Sequence, residues 1–238
     1  MYGWRARIGL ISPMPGENVE HAFHIYAPDG VSFSSMKMPF PGPTPEGLKI
    51  LTGQLEDTAS KYKGQDLDLI VFCCTSGSFI QGVGWDKECM ERIEQASGTP
   101  GLTTSTAVLE SLNALGARSL AVLTPYPDAT NEAERKFLED NGFEVRTILG
   151  MDMSGVEKGR IYNAEKLFLY RNSVKMDLKG ADVFFLSCMA LDTLGLVGDL
   201  ETDLGIPVVT SHQATLWSAL RHCGIKTRQP HLGKLFAI

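Results

Sequence analysis

The stretch DLIVFCCTSGSF, residues 68–79, ends an apolar run on two adjacent cysteines and turns at once to threonine, serine and glycine. A second stretch, DVFFLSCMALDT at residues 182–193, has the same build: an aspartate, four apolar residues, a small residue, then a cysteine. Aligning the aspartates pairs Cys74 with Cys188 and Cys73 with Ser187, so only one of the two adjacent cysteines is repeated. Further out, RIGLISPMP at 7–15 resembles SLAVLTPYP at 119–127, pairing Pro13 with Pro125. GTPGLTTSTAVLESLNALG at 98–116 likewise resembles GIPVVTSHQATLWSALRHCG at 205–224, pairing Pro100 with Pro207. Three pairs in one order at nearly constant spacing describe two similar halves, each too long to be a solenoid repeat.

Within each half, short apolar runs alternate with longer segments of helical period, the pattern of parallel strands joined by crossover helices. The fold class is therefore α/β. Thr44, Pro45 and Glu46 supply an N-cap, a first-turn proline and an acid at the positive helix end, predicting an amphipathic helix to about Tyr62 and then a strand LDLIVF. In the second half Asn163 is placed to cap a helix over 164–176, followed by a strand ADVFFLS. Strands apolar throughout are buried on both faces, and in such sheets ligands bind at the C-terminal strand edge. Cys74, Cys188, Pro13 and Tyr126 all fall at that edge.

With 238 residues, 43% hydrophobic and 21% charged, the chain has ordinary globular composition. Its net charge of −6 and pI near 5.4 argue against nucleic acid or an anionic membrane as the main partner. No run approaches the roughly 18 apolar residues of a membrane span, and the N-terminal apolar run is broken by Pro13 and Pro15. Five cysteines with no CxxC spacing fit free thiols in a reducing cytoplasm, and the histidines 21, 24, 212, 222 and 231 have no metal-ligand spacing, so no metal is expected. The partner left open is a small polar substrate; self-association is also left open.

If the two halves face each other across a pseudo-twofold axis, Cys74 and Cys188 flank a substrate held between them. A thiolate on one face and a thiol on the other can remove and return protons at one carbon, and a thiolate can add to an activated double bond. Thr75, Ser76 and Gly77 supply hydroxyls and backbone N–H groups for a carboxylate or enolate-like charge, and Thr124 and Tyr126 offer the same from the other half. A lone cysteine at a strand end is as readily a small packed residue, and Thr75 and Ser76 could serve only as helix caps; the repetition of the cysteine favours chemistry. Cys73 is expected to point into a lobe core, with Cys89 and Cys223 in helical segments.

These residues carry a resemblance. TPEGL at 44–48, CTSGSF at 74–79, STAVLESLNALGARSLAVLTPY at 105–126, GVEKGRIYN at 155–163, FLSC at 185–188 and LGIPVVTS at 204–211 are similar, in order, to the aspartate/glutamate racemase superfamily. Within it they resemble the branch of maleate cis-trans isomerases and arylmalonate decarboxylases. The resemblance implies two pseudosymmetric flavodoxin-like lobes with the active site in the cleft between them and no cofactor. It also implies a chain that crosses and returns: residues 1–115 with 212–238 as the first lobe, 116–211 as the second. Cys74 and Cys188 are then catalytic, and Thr75, Ser76, Tyr126, Pro13, Asn163 and Met189 bind substrate; Asn163 serves equally well as a helix cap. Decarboxylases of this group carry glycine at the first cysteine position, whereas isomerases and racemases carry cysteine at both, as here. The expected activity is therefore an isomerase or racemase of a small carboxylic or dicarboxylic acid, most like maleate isomerase. A decarboxylase using Cys188 and a non-enzymatic carboxylate binder are the alternatives. Pro13, Pro15, Phe40, Pro41 and Pro43 add apolar bulk that suits a substrate larger or less polar than maleate.

Overall fold

The computed structural model describes residues 2–151, 153, 161 and 163–238. The first half runs β1 (Ala6–Pro13), α1 (Glu17–Tyr26), β2 (Val31–Met38), α2 (Pro45–Thr52), α3 (Leu55–Ser60), β3 (Leu69–Phe72), α4 (Thr75–Phe79), α5 (Trp85–Ser97), β4 (Gly101–Thr103) and α6 (Thr104–Ala114). The second runs β5 (Ser119–Thr124), α7 (Asp128–Asp140), β6 (Glu144–Gly150), α8 (Lys166–Lys175), β7 (Val183–Leu186), α9 (Val197–Leu204), β8 (Val208–Thr210) and α10 (Ser211–His222). Each half forms its own four-stranded parallel sheet, ordered β2-β1-β3-β4 and β6-β5-β7-β8. The two orders are identical, as the sequence repeat requires.

Burial follows the apolar runs. Every residue of β3, β5 and β7 is buried, because helices cover both faces of these central strands, whereas the edge strands β2 and β6 are partly exposed. The register Ile11↔Phe72 and Leu123↔Leu186 brings the ends of β1 and β3, and of β5 and β7, level with one another. Thus Pro13 stands beside the adjacent cysteines, and Thr124 beside Ser187 and Cys188. Among the described residues no helix is long and apolar enough to cross a membrane.

Two equivalent helices join the lobes by exchange. α6 follows the last strand of the first sheet, yet Val108 and Leu112 lie in the buried cluster around β5 and β7. α10 follows the last strand of the second sheet, and Leu216, Ala219 and Leu220 pack with Ile8, Leu10 and Val71 of the first. Leu232 and Phe236 extend that same cluster, so the C-terminal segment also packs on the first sheet.

Two helix boundaries differ from the expectation. The helix opened by Thr44, whose Oγ1 accepts the Gly47 N–H at 3.2 Å, does not run to Tyr62 but stops at Thr52. Glycine is a poor helix former, and beyond Gly53 the Gln54 backbone leaves the helical region (φ −100°, ψ 2°) while its side-chain amide donates to the Ile50 and Pro39 carbonyls. In the second half α8 starts at Lys166, with Glu165 extended at the cap position, so Asn163 does not cap it.

Candidate active site between the lobes

Cys74 leaves β3 in an extended conformation (φ −147°, ψ 103°) and occupies the N-cap of α4, where its Sγ accepts the Gly77 N–H at 3.3 Å. Only glycine fits at 77, since a Cβ there would lie 3.0 Å from that sulfur and 2.9 Å from the Phe72 ring. Cys188 leaves β7 quite differently, with φ at +111°, a region that residues bearing a side chain rarely adopt. It is held there from two sides: Ser211 Oγ accepts the Cys188 N–H at 2.9 Å, and the Ala190 N–H reaches the Cys188 sulfur at 3.3 Å. Strain of this kind costs on the order of 1–3 kcal/mol and gathers at functional sites.

Both thiols border one cavity of 540 Å³ between the lobes. Of the residues expected there, Pro13, Cys74, Thr75, Ser76, Tyr126, Cys188 and Met189 all line it. Asn163 does not: it lies exposed and outside the lining, so its carboxylate-binding role finds no support in its position. Cys73 donates to the Val71 carbonyl at 3.6 Å and packs in the cluster around Ile8 and Leu10, consistent with a core residue that only borders the cleft. Cys89 lies within α5 and Cys223 at the C-cap of α10.

The polar part of the wall is neutral. Ser12, Asn18, Thr44, Thr75, Ser76 and Tyr126 supply its hydroxyl and amide groups, and no lysine, arginine, aspartate or glutamate lines it among the described residues. Thr75 Oγ1 stands 3.0 Å from Ser211 Oγ, so the hydroxyl that fixes Cys188 from one lobe also anchors α4 of the other. Tyr126 is buried, and its hydroxyl favours the charged form of the Cys188 thiol. Its backbone is fixed by α7: the Asn131 amide donates to the Tyr126 carbonyl at 3.1 Å, and Thr124 Oγ1 accepts the Tyr126 N–H at 3.0 Å while donating to Asn131.

Burial dominates the electrostatics. It pushes the Cys74 thiol up to about 12, against the lowering effect of the Gly77 N–H, and a charge on Cys188 opposes its ionisation further. Cys188 is pushed up to about 11, again by burial, with the Ala190 N–H and the Tyr126 hydroxyl pulling the other way and Glu134 adding to the rise. Glu134 on α7 is itself buried and held up at about 8, its Oε1 accepting from Ser187 Oγ at 2.5 Å. Both cysteines therefore rest as thiols at neutral pH. If a thiolate starts the reaction, the rate rises with pH, by roughly tenfold per unit, from neutrality until the first thiol titrates. Initial rates from pH 7 to 10 measure this; a flat profile would show that no thiol has to ionise.

A family model described as arylmalonate decarboxylase matches residues 8–236. The chain belongs to the arylmalonate decarboxylase family. Arylmalonate decarboxylase of Bordetella bronchiseptica is 32% identical over 195 residues, 81% of each chain. Maleate isomerase of Pseudomonas putida is 24% identical over 97% of each. Among solved structures, a doubly substituted, liganded arylmalonate decarboxylase superposes with a TM-score of 0.89 at 30% identity, covering 97% of this chain and 98% of that one. A Nocardia farcinica maleate cis-trans isomerase variant with a covalently bound succinylcysteine intermediate gives 0.90 at 22% identity over 98% of each, a likeness of fold. As a member of the arylmalonate decarboxylase family, the chain falls in the maleate isomerase and arylmalonate decarboxylase branch of the aspartate/glutamate racemase superfamily. It is an enzyme of the isomerase, racemase and decarboxylase kind.

Sequence reasoning missed Ser211, Ser12, Asn18 and Glu134. Ser211 had a signal, since it follows Thr210 in the repeated segment that also contains Thr103 and Thr104. Glu134 had none, because nothing in the helical pattern of α7 marks it as the acid that turns inward.

Proposed function

We propose that the chain is a cofactor-independent, two-thiol isomerase acting on a small carboxylic or dicarboxylic acid in a reducing cytoplasm. The observation that carries this reading is that Cys74 and Cys188, from equivalent positions of two lobes, border one cavity with a neutral hydroxyl wall between them. The carboxylate is taken by Ser76 and Tyr126, with Thr75 holding the frame through Ser211. Cys74 as thiolate attacks from one face and Cys188 as thiol serves the other. On a cis-alkene, as in maleate isomerase, the thiolate adds to one carbon, the new single bond rotates, and departure of the sulfur restores a trans double bond. On a saturated α-carbon, the thiolate removes the proton and Cys188 returns one from the opposite side. The second mode fits the described wall better: a dianion would place its second carboxylate against apolar residues such as Pro13, Phe40 and Pro43, with no cation among the described residues to meet it.

A decarboxylase is the second reading, favoured by the 32% identity to the Bordetella enzyme. Proton NMR of maleate, phenylacetate and phenylmalonate incubated with the protein in D2O separates the three outcomes as cis-trans conversion, α-deuteration and loss of carbon dioxide. Carbon dioxide loss alone would rule out the two-thiol cycle. Tyr126→Phe and Ser76→Ala are each expected to weaken turnover by about 1–3 kcal/mol, the scale of a charge-assisted hydrogen bond. Steady-state kinetics of both variants test this, and unchanged values would return the two residues to packing and capping.

A further inference from the structure

Two shielded polar atoms on the first lobe's side of the cleft have no hydrogen-bond partner among the described residues: Ser12 Oγ and Asn18 Oδ1. Neither belongs to the hydroxyl cradle of Ser76 and Tyr126. Ser12 is 1% exposed and lines the cavity near the end of β1. Its hydroxyl lies under the start of α1, where a Cβ on Gly16 would fall 2.6 Å from it. Gly16 precedes α1 in the left-handed region, φ 52°, and packs against that hydroxyl with no side chain of its own. Asn18, in the first turn of α1, has a fixed orientation: its Nδ2 donates at 3.2 Å to the Met189 carbonyl, which can only accept. Oδ1 is therefore an acceptor with no donor among the described residues. A buried polar group left unsatisfied costs on the order of 1–3 kcal/mol, and two in one wall point to a ligand group that satisfies both.

The two residues adjoin the segments that carry the thiols and line the same cavity. Ser12 follows Ile11, whose carbonyl accepts the Cys73 N–H at 2.7 Å, so the hydroxyl stands one residue from Cys74. Asn18 grips Met189, one residue from Cys188. The chemistry is narrow as well. A second carboxylate offers only acceptors to Asn18 Oδ1, and an ammonium would meet no acid among the described residues of the wall. Lys37 stands behind Gly16, but its Nζ is taken by the Gly16 carbonyl at 2.8 Å and by Glu20 at 3.2 Å. A hydroxyl can donate to Asn18 and accept from Ser12.

We propose that Ser12 and Asn18 form a hydroxyl subsite, and that the substrate is a 2-hydroxy carboxylic acid bearing an apolar substituent. This rests on the two-thiol reading above. The Cys74 thiolate takes the α-proton, the C–H electron pair passes into the carboxylate as an enediolate, and the Cys188 thiol returns a proton to the opposite face. The product is the mirror-image acid, with Cys74 now thiol and Cys188 thiolate.

The test compares both enantiomers of 2-hydroxy-2-phenylacetate with phenylacetate, which lacks only the hydroxyl, and with phenylmalonate. The wild-type protein should bind the hydroxy acid at least about tenfold more tightly than phenylacetate and deuterate it at the α-carbon in D2O. In Ser12→Ala and Asn18→Leu that preference should fall at least about fivefold. Equal affinity of the wild type for the two acids, or a preference untouched in both variants, would overturn the subsite. Equal α-deuteration of phenylacetate would remove the subsite and leave the two-thiol cycle standing. Carbon dioxide release from phenylmalonate with no α-exchange in any acid would remove both. The wild-type comparison needs no variant to fold.

Discussion

Replacing Cys74 by glycine is expected to lower isomerisation or racemisation by roughly 10²–10⁴-fold, the usual contribution of a positioned acid or base, while the fold survives. The backbone at 74 is ordinary extended chain, so glycine brings no conformational relief and no clash. What is lost is the sulfur: its cap on the Gly77 N–H, about 1 kcal/mol, and the reacting group on one face of the cavity. Cys188, the Ser211 hydroxyl that accepts its N–H and the Ala190 N–H that reaches its sulfur come from other segments and stay in place. The variant should therefore still deliver a proton to one face, and carbon dioxide loss from an arylmalonate, giving one enantiomer, is the activity to look for by chiral chromatography. Cys73→Ala serves as the companion, with a stability cost and little change in turnover. The proposal fails if wild type already decarboxylates and Cys74→Gly is as active, for then the first thiol is incidental.

The second large effect concerns stability. Glu134 is 1% exposed, accepts one hydrogen bond from Ser187, and has no partner at Oε2 among the described residues. Its carboxyl stands at about 8 in the fold against 4.5 in the free group. Below pH 4.5 it is protonated in both folded and unfolded chains and costs nothing through ionisation. Between 4.5 and 8 the unfolded chain ionises while the fold holds the proton, so stability falls with rising pH and the loss is complete above 8. At 1.36 kcal/mol per unit the total is on the order of 5 kcal/mol. Glutamine keeps the acceptor for Ser187 and never ionises. Glu134→Gln should thus melt with wild type near pH 4.5 and above it at pH 8.5, by about 10 °C for a chain of this length. Equal melting temperatures at both pH values would mean that the carboxyl does not sit buried and uncharged. The buried thiols titrate only at higher pH, so their contribution to stability falls outside this window.

The architecture was readable because the chain states it twice. The match of 68–74 with 182–188 implied two parallel sheets, and the apolar character of both runs placed them at sheet centres, where β3 and β7 lie. The site was readable as far as it shares that repetition: Cys74, Cys188, Pro13 and Tyr126 sit at equivalent strand ends. Where the lobes depart from symmetry the sequence was silent. The left-handed backbone at Cys188 has no counterpart at Cys74, and the bond from Ser211 that fixes it joins residues far apart in the chain. Helix limits failed for local reasons, at Gly53 and at Glu165, because helical periodicity continues across a break that only the backbone reveals. Asn163 was carried by family position, and its place outside the cavity is set by where α8 begins, which no motif encodes.

The positive φ at Cys188 also bears on how this protein responds to selection. A glycine at that position would be the more comfortable occupant, relieving about 1–2 kcal/mol of backbone strain. Directed evolution for heat tolerance alone would therefore drift towards losing the sulfur proposed to deliver the proton, and the first stabilised lineages would be the inactive ones. At position 74 the pressure is absent, since glycine gains nothing there. Any campaign to harden the enzyme should score turnover alongside melting temperature, with codon 188 held fixed.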